Sequence, residues 1–230
     1  MIYIFIKLLR PKQWIKNGFV LLPLIFSRSY YDMNAFSEAV LASLLFCIAS
    51  SAVYILNDLI DVSSDRMHIK KSKSRPIASG QISEKAALFF LIFIHLFLFV
   101  FVFFANLDNR FVSIIYLYVF LNLGYSFGLK KVPVIDIFIV ASGFVLRVLS
   151  GGYAINVVIS SWMLITTFML ALFLASIKRR QELLTEGSSS RSVLNSYNID
   201  LVTRYSEISA TAALFFYSMF VMSAKPNLML

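Results

Sequence analysis

The sequence predicts an all-α, polytopic transmembrane bundle of about seven helices. Three observations predict it. Of 230 residues, 59% are hydrophobic and only 14% charged, whereas a soluble domain carries about 25% charged residues and fewer than about half apolar ones. The apolar residues gather in runs close to the ~20 needed to cross ~30 Å of hydrocarbon. Between those runs, Lys and Arg fall on one alternate set of ends. The 23 Phe with only 8 Gly and 5 Pro exclude disorder and collagen. The single cysteine, Cys47, excludes a disulfide scaffold and leaves the redox compartment open.

Taken in order, the candidate spans are 17–31, 38–57, 85–105, 111–129, 133–154, 160–177 and 201–222. The first is short and contains Pro23. The third is rich in Phe and Leu, with His95 its one strongly polar residue. No cleavable signal is expected, because the apolar start runs into Lys12 and Lys16 without a small-residue cleavage site. No short repeat or long linker divides the chain. Seventeen basic residues share one face: Lys7, Arg10, Lys12, Lys16, Arg66, Lys70, Lys71, Lys73, Arg75, Lys85, Lys130, Lys131, Lys178, Arg179, Arg180, Arg191 and Arg204. Arg28, Arg110 and Lys225 fall on the other, and Arg147 lies inside a span. The positive-inside rule assigns the basic face to the cytoplasm of a multi-pass plasma-membrane protein. The net charge of +9 is thus a topology signal. No nucleic-acid partner is expected, since no aromatic–basic platform lies outside the membrane.

The end of the second span reads Asn57-Asp58-Leu-Ile-Asp61-Val-Ser-Ser-Asp65, followed by Arg66, His68, Lys70, Lys71, Lys73 and Arg75-Pro76-Ile77-Ala78-Ser79-Gly80. At 100° per residue, Asn57, Asp58, Asp61 and Asp65 fall within one arc of a helix. Carboxylates packed this way at a membrane boundary repel one another and call for a cation. Hard oxygen ligands suit Mg²⁺, which shares its shell with waters and substrate phosphates. Lys70, Lys73 and Arg75 suit the same polyanion. A plainer reading makes the segment a solvated loop whose acids pair with nearby lysines and in which Asp58 caps a helix.

The aspartate pattern and the Arg75–Gly80 segment resemble the UbiA-type intramembrane prenyltransferase superfamily. Its first aspartate-rich motif follows the second helix and holds diphosphate through Mg²⁺. Tyr125-Ser-Phe-Gly-Leu129-Lys130 resembles the family's Tyr-x-x-x-x-Lys segment. Arg10-Pro11-Lys12-Gln13-Trp14-Ile15-Lys16-Asn17, Gly143-Phe144-Val145-Leu146-Arg147 and Lys178-Arg179-Arg180-Gln181-Glu182-Leu183 are similar to the decaprenyl-phosphate phosphoribosyltransferase group. That group transfers phosphoribosyl from phosphoribosyl diphosphate to a polyprenyl phosphate. The resemblance implies that Asp58, Asp61 and Asp65 bind Mg²⁺ and, with Asn57, form the catalytic set. It implies that Lys16, Lys70, Lys73, Arg75, Tyr125, Lys130, Asp136, Arg147, Lys178, Arg179 and Glu182 bind substrate.

Two departures stand out. Typical prenyltransferases carry a second Asp-x-x-x-Asp motif at the end of the sixth helix. Here Lys178, Arg179 and Glu182 stand in its place, with Glu186 following, as suits a donor bearing a 5-phosphate; a surface Lys178–Glu182 pair is the plainer reading. The family fold usually has nine transmembrane helices, and this chain reaches Leu230 after the seventh. The expectation is therefore one UbiA-like domain over 1–230 without the last two helices.

Asp136 and Arg147 lie eleven residues apart, on one helix face and ~16 Å apart along the axis. Arg147 is deep in the membrane, where a cation either serves function or pairs with a buried carboxylate. Asp136 could meet the donor's ribose hydroxyls or a metal, or start a helix after Pro133. Lys12 and Lys16 could contact lipid phosphate or simply snorkel. Tyr54 lies one turn before Asp61 on the same face and could line the site. Trp14 and Trp162 read as belt residues, His95 as a hydrogen-bonded packing residue, and Cys47 as a small buried hydrophobe. Prenyl transfer to an aromatic acceptor is the alternative activity, and transport or assembly without catalysis is the alternative of another class.

Overall fold

The structure is a computed structural model that describes residues 2–105, 107–186 and 192–224. Arg191 and Lys225, two of the cations used to orient the chain, lie outside the described residues. Among the described residues ten α-helices follow one another: α1 Ile2–Leu9, α2 Leu22–Phe26, α3 Met33–Ile60, α4 Val62–Met67, α5 Lys71–Ser74, α6 Glu84–Phe104, α7 Asn109–Phe127, α8 Ile135–Ala154, α9 Ser161–Glu186 and α10 Ile199–Ala224, with 3₁₀ segments in several of the connections. Among the described residues there is no strand. Five of the helices (α3, α6, α7, α8 and α9) are long and apolar enough to cross a membrane. The outer face of α6 carries Phe89, Phe93, Phe103 and Phe104 largely exposed, an arrangement that lipid, not water, stabilises. The helix α10 is 26 residues long but carries Asp200, Arg204 and Glu207 in its first half.

The chain divides into two compact units, residues 1–127 with 150–157, and residues 128–149 with 158–230. The first unit is built on α3, whose N-terminus is capped by the Asp32 carboxylate accepting from the Asn34 amide at 2.9 Å. Buried Ala39, Ala42, Ala49 and Ala52 along α3 let its neighbours approach closely, as small residues do between membrane helices. Leu8 of α1, Ala52 and Ile55 of α3, Ile77 and Ile82 of the following loop, and Ala87, Leu91 and Ile94 of α6 form one apolar cluster. Ser83 caps α6 by accepting from the Ala86 amide. As expected, His95 hydrogen-bonds within its own helix, to the Leu91 carbonyl at 3.1 Å.

The first apolar stretch differs from its expectation as one span over 17–31. Residues Pro11–Leu21 form a 3₁₀ helix, followed by the five-residue α2 and a further 3₁₀ turn, Ser29–Tyr31. The reason is side-chain chemistry that a hydropathy window does not register. Asn17, buried to 1% exposure, donates to Ser50 Oγ at 3.1 Å and contacts Cys47 Sγ at 3.2 Å. Trp14 Nε1, read from sequence as a belt group, donates to Ser51 Oγ at 3.0 Å. Cys47 is buried as expected, but serves this polar seam as well as packing. Gly151 completes the arrangement: a Cβ there would stand 1.9 Å from the Val20 carbonyl oxygen and 3.3 Å from Pro23 Cδ.

In the same unit, the turn before α7 is tied down by Arg110. It donates to Asp108 Oδ2 at 2.8 Å and to Asn156 Oδ1 at 2.9 Å, and lies over the Tyr153 ring. These hydrogen bonds hold the Asp108 carboxyl down at about 2.

In the second unit, α9 and α10 pack along their lengths, with Trp162 stacked on Phe216 at one end, and Leu183, Leu201 and Tyr205 packed against a cluster of Val193, Leu194, Tyr197 and Val202 near the other. Phe138 of α8 meets Phe168 of α9 edge-on.

Two outcomes follow from these contacts. Gly151→Ala forces a methyl group onto backbone that cannot rotate away and should cost about 1–3 kcal/mol, read as a lower midpoint of thermal unfolding in detergent. The Asp108 pKa lies below its unfolded value, so its contribution is present above pH 3.8 and is lost as pH falls toward about 2. Asp108→Asn should remove that acid-side loss, a small effect at an exposed pair, measured as unfolding midpoint against pH.

Candidate functional site

The first cluster lies where α3 ends. The helix stops at Ile60, Asp61 takes φ −91°, ψ 4°, and α4 begins at Val62. A β-branched residue and two serines after Asp61 are weak helix formers. The break falls at the middle aspartate, yet the Asp61 amide still donates to the Asn57 carbonyl at 3.0 Å and the Asp65 amide to the Asp61 carbonyl at 2.8 Å, so the i to i−4 ladder carries through it. Asp58 and Asp65 are both 2% exposed, whereas Asp61 sits half-buried on the break.

Cations draw Asp58 and Asp65 together. Arg75 Nη1 bonds to Asp65 Oδ2 and stands 2.8 Å from Asp58 Oδ1. Arg10 bonds to the same Asp58 oxygen, and Lys71 Nζ is 3.9 Å from Asp65 Oδ1. The local sequence explains how Arg75 is held. Pro76 forces the preceding residue into extended backbone (φ −90°, ψ 125°). Ile77, 1% exposed, anchors the next residue in the core, and Gly80 closes the turn at φ 74°, where its missing Cβ is needed. Arg10 is held by strain: it adopts the left-handed region (φ 52°, ψ 59°) just before Pro11, and its guanidinium lies 5.2 Å from the centre of the Tyr54 ring. Tyr54 therefore flanks the cluster by way of Arg10.

Burial raises the Asp65 carboxyl above its ordinary range, Arg75 and then Lys71 pull it back, and Asp58 pushes it up again. Asp58 Oδ2 is buried and has no hydrogen-bond partner. Among the described residues no three His, Cys, Asp or Glu side chains converge as a closed metal cage. The donor set fits a different kind of site. Mg²⁺ typically takes one or two carboxylates and completes its octahedron with water and phosphate oxygens; Asp58 Oδ2 is a hard oxygen with its lone pairs uncommitted. Asn57, Lys16 and Tyr125 are half-buried in this unit, and Lys70 and Lys73 are exposed on the loop that carries Arg75.

The second unit holds the other predicted residues. Asp136 is fully buried and Arg179 is 4% exposed. Arg179 Nε donates to Asp136 Oδ2 at 2.7 Å and its Nη1 to Glu182 Oε2 at 2.7 Å. The Tyr197 hydroxyl donates to Asp136 Oδ1 at 2.6 Å. Asp136 therefore spends both oxygens inside the protein, on Arg179 and Tyr197, where the sequence had left it open to a ribose, a metal or a helix start. Arg147, also 4% exposed, donates to the Gly143 carbonyl at 2.8 Å and lies over the Phe144 ring. Lys178 is exposed on α9, and Lys130 is half-buried in the turn before α8. Sequence reasoning left Arg10 and Tyr197 out of the site. Arg10 carried a signal, since it begins the Arg10–Asn17 segment; Tyr197 carried none.

These features define a multi-pass helical membrane protein with carboxylate–guanidinium clusters beside its spans. A family model described as the UbiA prenyltransferase family matches residues 20–225, and the chain belongs to that family. It is 36% identical over 219 residues to the decaprenyl-phosphate phosphoribosyltransferase of Corynebacterium glutamicum, covering 93% of this chain and 66% of that protein. It is 37% identical over 227 residues to the enzyme of that name from Mycolicibacterium smegmatis, covering 95% and 70%. The chain thus spans about two thirds of the length of these relatives. Its fold matches the structure of a UbiA homolog from Archaeoglobus fulgidus bound to DMAPP and Mg²⁺, with a TM-score of 0.77 at 19% identity over 95% of this chain and 78% of that one.

Arg75→Met should leave Asp58 and Asp65 buried together with too little positive charge. A stability loss of about 3 kcal/mol is expected, read as thermal unfolding of the purified protein in detergent. A loss under about 1 kcal/mol would show that the pair is not what holds the loop.

Proposed function

We propose that the chain is a Mg²⁺-dependent membrane phosphoribosyltransferase that moves a 5-phosphoribosyl group from phosphoribosyl diphosphate to a polyprenyl phosphate and releases diphosphate. The observation that carries this reading is the first cluster: two buried aspartates at the end of a span, bridged by arginine, with one buried carboxylate oxygen unsatisfied. A magnesium diphosphate supplies what such a cluster lacks. The curated relatives' names support the choice of donor and acceptor, and so does the presence of Lys178 and Arg179 where typical family members have carboxylates.

In this reading Asp58 and Asp61, with Asp65 and Asn57 beside them, hold the metal. When bound, Mg²⁺ offsets the charge that develops on the departing diphosphate. Arg75, Arg10, Lys70 and Lys73 bind diphosphate oxygens, Arg75 by exchanging carboxylate for phosphate partners of the same geometry. Lys16, Tyr125 and Lys130 complete the phosphate contacts. Lys178, Arg179 and Glu182 take the ribose 5-phosphate end, and Arg147 meets the acceptor. The bond from ribose C1 to diphosphate breaks with its electron pair leaving on diphosphate. A new bond forms from C1 to an oxygen of the acceptor phosphate. That oxygen is already anionic, so no general base is needed, and a single displacement inverts C1. The basic face and this site lie toward the cytoplasm of the plasma membrane.

Incubating the reconstituted protein with labelled phosphoribosyl diphosphate and polyprenyl phosphate should place label in the lipid fraction. In parallel, labelled prenyl diphosphate with an aromatic acceptor should give none. Label entering product from the prenyl donor alone overturns the choice. Asp58→Asn should lower transfer by ~100-fold or more, since it removes charge stabilisation at the leaving group. Unchanged transfer in that variant would remove Asp58 from the reaction.

A further inference from the structure

The second cluster contains more order than an ion pair needs. Val134, one residue before α8, sits at φ 69°, a region that a β-branched residue enters only under constraint. Its amide donates to the Tyr197 hydroxyl at 2.7 Å. The same hydroxyl donates to Asp136 Oδ1, and Asp136 Oδ2 accepts from Arg179, which reaches Glu182. One phenolic oxygen therefore joins the strained turn before α8 to the charged end of α9. Tyr197 is itself fixed: with Val193, Leu194 and Val202 it forms an apolar cluster packed against Leu183 and Leu201. Burial and then the bond to Asp136 raise the Tyr197 hydroxyl well above its ordinary value, so it stays protonated and able to donate.

Stability alone does not account for this arrangement. A wholly buried carboxylate and guanidinium carry a desolvation cost that apolar side chains of similar volume would avoid, and the left-handed valine adds backbone strain. Such an arrangement secures a fixed position for charged groups. The groups held in place are Arg179 and Glu182.

We propose that Tyr197 is a positioning residue for the phosphoribosyl donor: its hydroxyl locks Asp136, and through it the Arg179–Glu182 pair that receives the ribose 5-phosphate end. The inference rests on the reading of the site given above. Tyr197 touches no substrate; it acts through Asp136.

The test uses the full chain in detergent or vesicles and two readouts. One is the thermal-shift titration midpoint of ribose 5-phosphate, which needs no turnover. The other is KM and kcat for phosphoribosyl diphosphate. Tyr197→Phe deletes only the hydroxyl and should weaken both the ribose 5-phosphate midpoint and KM by ~10-fold, as loss of a supporting hydrogen bond does at other sites, with kcat within ~3-fold. The double variant Tyr197→Phe with Val134→Gly removes the left-handed strain and should regain unfolding midpoint while KM stays raised. If KM returns to the wild-type value along with the unfolding midpoint, Tyr197 only supports the turn and the proposal fails. It also fails if Tyr197→Phe leaves both the ribose 5-phosphate midpoint and KM within ~2-fold of wild type. A wild-type protein that neither transfers phosphoribosyl nor responds to ribose 5-phosphate overturns the parent reading as well, and is told apart by its failure before any variant is compared.

Discussion

A carboxylate withdrawn from water at the edge of a bilayer must bring a cation with it, and both clusters in this protein obey that constraint. In the first unit, Asp58 and Asp65 are sealed from solvent by the packing of the core, and Arg75 joins them. The loop that returns from α5 to α6 is shaped to deliver that guanidinium: Pro76 extends the backbone, Ile77 is driven into the core, and Gly80 turns it. In the second unit, Arg179 neutralises Asp136 and is shared with Glu182. The ion pairs do not add much net stability, because desolvation cancels most of the attraction. They determine where charge sits.

The charge placed in this way is suited to a polyanion. A guanidinium that bridges carboxylates in the absence of ligand can exchange them for phosphate oxygens at little cost in geometry, since both are planar or tetrahedral oxygen arrays that accept parallel N–H donors. Asp58 Oδ2 adds the complementary element, a hard oxygen already paid for in desolvation. In the proposed function, these buried charges are fixed by the fold rather than gathered by the ligand.

Packing in the first unit works toward the same end. The N-terminal segment carries Arg10, and it is secured by Asn17, Trp14 and the close approach of Gly151 to Val20. The left-handed joint at Arg10, just before Pro11, accompanies a side chain that reaches Tyr54 and Asp58. Strain at Arg10 and at Val134 occurs at the charged clusters, as backbone strain commonly does at functional sites.

Residue type and spacing by themselves determined much about this chain. Apolar runs determined a helical membrane protein, because in hydrocarbon only helices satisfy the backbone in runs of this length. The aspartates after the second span, with Arg75-Pro76 beyond them, raised the expectation of a polyanion site, because so many charges at a bilayer boundary call for partners. What sequence could not reach depends on contacts between distant residues. The break at Asp61, the orphaned oxygen of Asp58, and the partnership of Asp136 with Arg179 are consequences of burial, which no local pattern encodes. Tyr197 lies 61 residues from Asp136 in an unremarkable polar segment, and becomes significant only once packing brings its hydroxyl onto that carboxylate. Local chemistry decided which groups were available; tertiary packing decided which of them were removed from water, and therefore which had to find one another.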